Sequence, residues 1–192
     1  MNFQFTNIQL IVAAVVLVFI AVIAVAVYLR RRKTRTAGFR IRFGTEYGRA
    51  VLEHGSSRKA EAKLAGRETR VEALNIRELG ATERMRFVAE WQTVQSRFVD
   101  YPKAAVNEAD DLIAALVEAR GYPKDSFEQR AADVSVTYPR VMENYRVAHA
   151  IAVRPSGPEA STEELRTAKI QYRAIFDELV EAQTPQAKTS VA

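Results

Sequence analysis

The stretch ERMRFVAEWQTVQSRFVDYP, residues 83–102, decides the fold. Its apolar residues Met85, Val88, Trp91, Val94 and Phe98 recur at intervals of three and four, opposite Glu83, Arg86, Glu90, Thr93 and Arg97. That is the period of an amphipathic α-helix, and it places the only tryptophan of the chain on a buried face. Pro102 then stands where the first turn of a new helix tolerates a missing N–H. Val106, Ala109, Ile113 and Leu116 continue the same period to Gly121, a glycine of the kind that ends helices. Trp91 and Phe98 are therefore expected to pack against the helix of Val106 to Leu116 and against a later one at Val141 to Ala152.

Reading outward, every segment repeats the helical pattern. Gly121-Tyr122-Pro123 breaks the chain, and Asp125 with Glu128 has the spacing of a capping box before a short helix. Pro139 is acceptable only near a helix start, so a helix is expected from about Thr137 to Val153, burying Val141, Tyr145, Ala148 and Ala152. Arg154 to Ala160 reads as a loop. Ser161-Thr162-Glu163-Glu164 is a second capping box, before the apolar face of Leu165, Ala168, Tyr172, Ile175, Phe176 and Leu179. Upstream, Ser56 or Ser57 caps a highly charged helix to about Leu74, whose apolar stripe is narrow, with Leu64 and Val71 seven apart. No second strand signal and no internal repeat interrupts this pattern. The expectation is an all-α fold with one helical domain of five or six helices at 45–182 and a flexible tail at 183–192.

Residues Leu10 to Leu29 form an uncharged run of twenty residues, followed by Arg30, Arg31, Arg32, Lys33 and Arg35. At about 1.5 Å of rise per residue such a run matches a hydrocarbon core of about 30 Å. It is expected to be a single transmembrane helix at 10–29 after a short extracytoplasmic N-terminus at 1–9. The basic flank then keeps the domain in the cytoplasm, and the localisation expected is a bacterial inner membrane. A cleaved signal needs positive charge before the apolar run and a small-residue cleavage site, and this chain has neither. Between anchor and domain, 30–44 is expected to be a basic juxtamembrane linker. Within it Gly38-Phe39-Arg40-Ile41-Arg42-Phe43-Gly44 alternates apolar and basic residues, as a short extended segment would.

Charge is unevenly spread. From Arg30 to Arg70 there are 13 Lys/Arg against 4 Asp/Glu, whereas from Val71 to Ala192 there are 15 against 19. Arg30, Arg31, Arg32, Lys33, Arg35, Arg40 and Arg42 are either the topology signal with a solvated helix face or a surface for anionic lipid headgroups. The chain has no cysteine, which excludes disulfides and thiolate chemistry and fits a reducing compartment. No recognised nucleic-acid motif accompanies the basic region, so nucleic acid is not an expected partner.

The chemical motifs of nucleotide-binding, zinc and serine-hydrolase enzymes are missing. Asp110-Asp111 and Glu163-Glu164 are sequence neighbours, so on a helix each pair diverges and forms no carboxylate dyad. His54, before Gly55, reads as a helix-terminal cation. His149 follows Tyr145 by four and lies near an apolar stripe, so it is either a structural histidine bonded to a tyrosine or carboxylate, or an acid–base group. No metal or cofactor is expected. The function expected is a non-enzymatic, membrane-tethered interaction or assembly module whose partners are the lipid bilayer and another protein or a second copy. The alternative is a membrane-bound enzyme or small-ligand binder using His149 with Tyr145 and Arg146.

Phe43-Gly44-x-Glu46-Tyr47, Trp91-x-x-x-Gln95-x-x-Phe98-Val99-Asp100-x-Pro102, Arg120-Gly121-Tyr122-Pro123, Tyr145-Arg146-x-x-His149 and Ser161-Thr162-Glu163-x-Leu165-Arg166 together resemble a widespread family of small, uncharacterised bacterial α-helical proteins. The resemblance covers roughly 43–182. It implies a small cytoplasmic domain behind one optional N-terminal membrane helix, and it carries no activity, cofactor or catalytic residue. The chain departs from it at Thr45 and Gly48, where proline and aspartate are expected.

Overall fold

The computed structural model describes residues 7–154 and 160–181. The expected tail at 183–192, the centre of the loop at 154–160 and most of the 1–9 segment lie outside the described residues. The chain divides into two compact units, Met1–Arg42 and Phe43–Ala192. Every regular element among the described residues is an α-helix, in agreement with the all-α expectation.

The first unit is carried by α1, Asn7–Phe43, a single helix of 37 residues. Two expectations are corrected here. Among the described residues no helix is long and apolar enough to cross a membrane, which overturns the transmembrane helix at 10–29. Nor is the Gly38–Gly44 segment extended, because helix continues without a break to Phe43. Helical twist therefore replaces alternation. Phe39 and Ile41, two apart, point to opposite sides of α1 rather than sharing one greasy face, and Ile41 is 85% exposed while Phe43 is fully buried.

The second unit holds α2 (Thr45–His54), α3 (Ser57–Glu72), α4 (Ala81–Arg97), α5 (Pro102–Ala119), α6 (Phe127–Thr137), α7 (Pro139–Ala152) and α8 (Thr162–Glu181). These seven exceed the expected five or six. Tyr138 both closes α6, through its N–H to the Val134 carbonyl, and precedes Pro139 at the start of α7. Proline has no N–H to continue the ladder, so α6 and α7 stay separate helices, as expected from the position of Pro139.

A large apolar cluster binds α4, α5, α7 and α8. The closest packing is between α7 and α8, followed by α5 on α8 and α4 on α5. Trp91 stacks on Phe176 of α8 with ring centroids 4.8 Å apart, so its aromatic partner lies on α8. The buried face of α4 is Phe87, Trp91 and Val94. Met85 is 66% exposed, and Val88 also reaches solvent. The helical period was right but its phase differs at the N-terminal end, where Phe87 rather than Met85 and Val88 joins the core cluster. The α2–α3 hairpin stands apart from this cluster. It buries Tyr47, Ala50, Ala60, Leu64 and Val71 and packs on α6 and α7.

Glycine is required at two junctions. Gly44 has φ +52° between α1 and α2, and Gly121 has φ +95° after α5. A Cβ on Gly121 would stand 2.3 Å from the Asn75 carbonyl oxygen. The α3–α4 connection thus passes against the end of α5, fixed by the Arg77 N–H to the Arg120 carbonyl at 2.9 Å.

Candidate functional site

Two polar clusters stand out in the helical unit, and Arg146 and His149, two of the three expected site residues, fall in different ones. The first is a seam between the α2–α3 hairpin and α6–α7. Glu46, only 1% exposed, accepts two hydrogen bonds from Arg146, Nε at 3.2 Å and Nη2 at 3.1 Å. Arg67 of α3 approaches the same carboxylate at 3.9 Å. Asp133 of α6, equally buried, accepts from Arg70 Nε at 3.0 Å and from Gln129 Nε2 at 2.8 Å. Arg70 reaches Asp125 as well, at 2.6 Å. Asp133, and then Asp125, raise the pKa of Arg70 above its ordinary value. Two buried carboxylates are thus each matched by fixed guanidinium groups, which is the condition for burying them at all.

Asp125 therefore does not cap α6. Ser126 occupies the cap and accepts from the Gln129 N–H at 3.4 Å, so the capping box expected at Asp125 and Glu128 is corrected. Glu128 turns instead toward Arg146 at 3.5 Å.

In front of the seam opens a cleft of about 540 Å³, lined by residues of α2, α3, α6 and α7. Its charged lining comprises Arg49, Lys63, Arg67, Arg70 and Arg146 against Glu53 and Glu128. His54 sits at its edge with Nε2 buried, without a hydrogen-bond partner, 4.0 Å from Glu53. Lys63, Arg67 and Arg70 are spaced four and three on α3. That spacing was legible as a charged helix face, but nothing in it distinguished a solvated face from one wall of a cleft.

The second cluster lies where α5, α6, α7 and α8 meet. His149 Nδ1 stands 3.0 Å from Asp110 Oδ2. The imidazole stacks on Phe127, with centroids 3.5 Å apart and planes within 6°. Asp110 Oδ1 is buried beside the Tyr172 hydroxyl, and burial, reinforced by the Asp110 charge, drives that hydroxyl far above its ordinary pKa. Tyr145, fully buried, accepts from Arg130 Nε at 2.9 Å, and burial pushes its hydroxyl up to about 12. His149 and Tyr145 are absent from the lining of this cleft, so they do not join Arg146 there. Asp110 turns inward and Asp111 outward, as neighbours on a helix must.

On α1, Arg30, Lys33, Arg35, Arg40 and Arg42 are exposed. The side chains of Arg31 and Arg32 lie outside the described residues. Among the described residues no group of three His, Asp or Glu is placed to hold a metal ion.

Comparison with protein-family models, with curated proteins and with solved structures gives no match. Several residues of the motifs in the second unit have structural tasks here. Phe43, Glu46 and Tyr47 are buried, and Arg120, fully buried, donates to the Leu179 carbonyl at 2.9 Å and so closes the end of α8. Glu164 accepts from the Ser161 N–H at 2.7 Å and from Arg154 at 2.6 Å.

Proposed function

We propose that this protein is a non-enzymatic interaction or assembly module held at the cytoplasmic face of a bacterial inner membrane, with the helical unit as the body that meets other proteins. The observation that carries the reading is the exposure of α1. Val15, Leu17, Val18, Phe19, Val22 and Val25 are each more than half exposed, and at 3.6 residues per turn they spread over more than half of the helix circumference. Apolar surface of that extent is costly in water, at about 25 cal/mol per Å². Lipid, or α1 of another copy, is what relieves it, and the exposed Arg30, Lys33 and Arg35 suit anionic headgroups, each worth about 1 kcal/mol near the surface.

Gentle cross-linking of the full-length protein in cells, followed by membrane fractionation, tests this. The expected outcome is a membrane-bound species of defined larger mass. A chain that fractionates away from membranes, or stays a lone monomer, overturns the reading.

The Asp110–His149 pair favours a second reading, an enzyme or ligand binder. A carboxylate on Nδ1 fixes the tautomer of an imidazole whose Nε2 then serves as base. His149 does not line the cleft between α2, α3, α6 and α7, which places this reading behind the first.

A further inference from the structure

We propose that the cleft between α2, α3, α6 and α7 is a binding site for a small phosphate-bearing anion. The proposal is independent of how α1 is attached.

Three observations carry it. The cleft has the volume of a small-molecule site, within the usual range of about 300–1,000 Å³. Its cations are of two kinds. Arg146 and Arg67 are held at 11% and 19% exposure by Glu46. Arg146 spends Nε and Nη2 on that carboxylate and turns Nη1 to the exposed Glu128 at 3.5 Å, whereas Arg70 spends Nε and Nη2 on Asp133 and Asp125, so Nη1 of Arg70, and Nη1 of Arg146 once Glu128 is displaced, face a ligand. Arg49 and Lys63 complete the lining as exposed side chains with no ion pair among the described residues. Finally, the two acids of the lining are exposed side chains. Glu53 and Glu128 are 53% and 77% exposed, so they swing away from an incoming anion at little cost, whereas the arginines stay where the buried carboxylates put them.

Preoriented guanidinium groups from two helices, with a lysine as point charge, match the several oxygens of a phosphate better than one carboxylate. The phosphate belongs either to a soluble metabolite or to a lipid headgroup.

Isothermal titration of the full-length protein in neutral detergent with inorganic pyrophosphate tests the site, with orthophosphate as the singly phosphorylated control. Saturable binding is expected, tighter for pyrophosphate and weaker as salt rises. The double variant Arg49→Gln/Lys63→Gln should weaken it at least about tenfold with an unchanged melting midpoint, since neither side chain holds the fold. A matched variant on α4, Arg84→Gln/Arg86→Gln, should leave it unchanged. Vesicles of phosphatidic acid against phosphatidylcholine identify the source. If the cleft variant loses affinity for the acidic vesicles as well, the phosphate is a headgroup; if only pyrophosphate binding falls, it is soluble. Absence of saturable pyrophosphate binding at low salt, equal binding by the cleft variant, or binding of an acidic peptide without pyrophosphate overturns the proposal.

Discussion

The main helical body and the α2–α3 hairpin are held by different physics. Around Trp91 and Phe176 the body is stabilised by apolar area, with Ile113, Leu116, Ile175 and Leu179 all fully buried. The hairpin has a small apolar face of its own, and across the seam its attachment to α6 and α7 is ionic: Glu46 with Arg146, and Arg70 with Asp133. Apolar contacts tolerate small shifts at graded cost. A buried carboxylate fails abruptly when its partner goes, because the remaining charge has no water to turn to. The difference teaches where to look for function: the ionic seam, not the core, exposes fixed charge to a cleft.

The largest effect should come from the core. Trp91→Ala is expected to destabilise the helical unit by about 3–5 kcal/mol, the usual cost of deleting a large buried aromatic. Urea unfolding of the full-length protein followed by far-UV circular dichroism checks it, and an unchanged midpoint would make Trp91 peripheral.

Gly121→Ala should cost about 2–3 kcal/mol, because the left-handed backbone and the 2.3 Å approach to Asn75 leave no room for a methyl group. The same unfolding measurement reads it. Local loosening should be seen first in the α3–α4 connection.

Glu46→Gln probes the seam and should cost about 1.5–3 kcal/mol, the range for hydrogen bonds to charged groups. Hydrogen exchange separates the two regions: α2 and α3 should exchange faster while α5 and α8 keep their protection. Equal loosening of all four helices would erase the distinction between body and hairpin.

The smallest effects are acid titrations at helix starts. Glu83, beside Arg77 and the Gly80 N–H, and Glu164, beside Arg154 and Ser161, are each lowered from 4.5 to about 2. A depressed carboxylate contributes above its unfolded pKa and is lost as pH falls through the folded one, so both caps should weaken between about pH 4.5 and 2. Carboxyl ¹³C shifts of these two residues check this. Midpoints near 4.5 would mean that the caps are open in solution.

Helix positions were legible because apolar periodicity and caps are local. The period of α4, Pro102 at the start of α5, the Ser161 box and the stripe of α8 were all read directly. What failed depended on partners distant in sequence. The phase of α4 needed α5 and α8, and the role of Asp125 needed Arg70, 55 residues away. Glu46 looked like any acid of a charged helix until Arg146, a hundred residues on, was placed against it. The Gly38–Gly44 alternation misled because a period of two over seven residues is too short to outweigh continuation of a helix already nucleated upstream.

By itself the sequence determined the helical class, most helix boundaries, the absence of thiol chemistry and the concentration of positive charge before residue 71, since propensity, capping and composition act through neighbours along the chain. Only the tertiary structure decided which charges are buried, that Arg146 and His149 serve separate clusters, and that Lys63, Arg67 and Arg70 form the wall of a cleft. Burial and pairing are properties of side chains brought together from distant helices, and no local pattern encodes them.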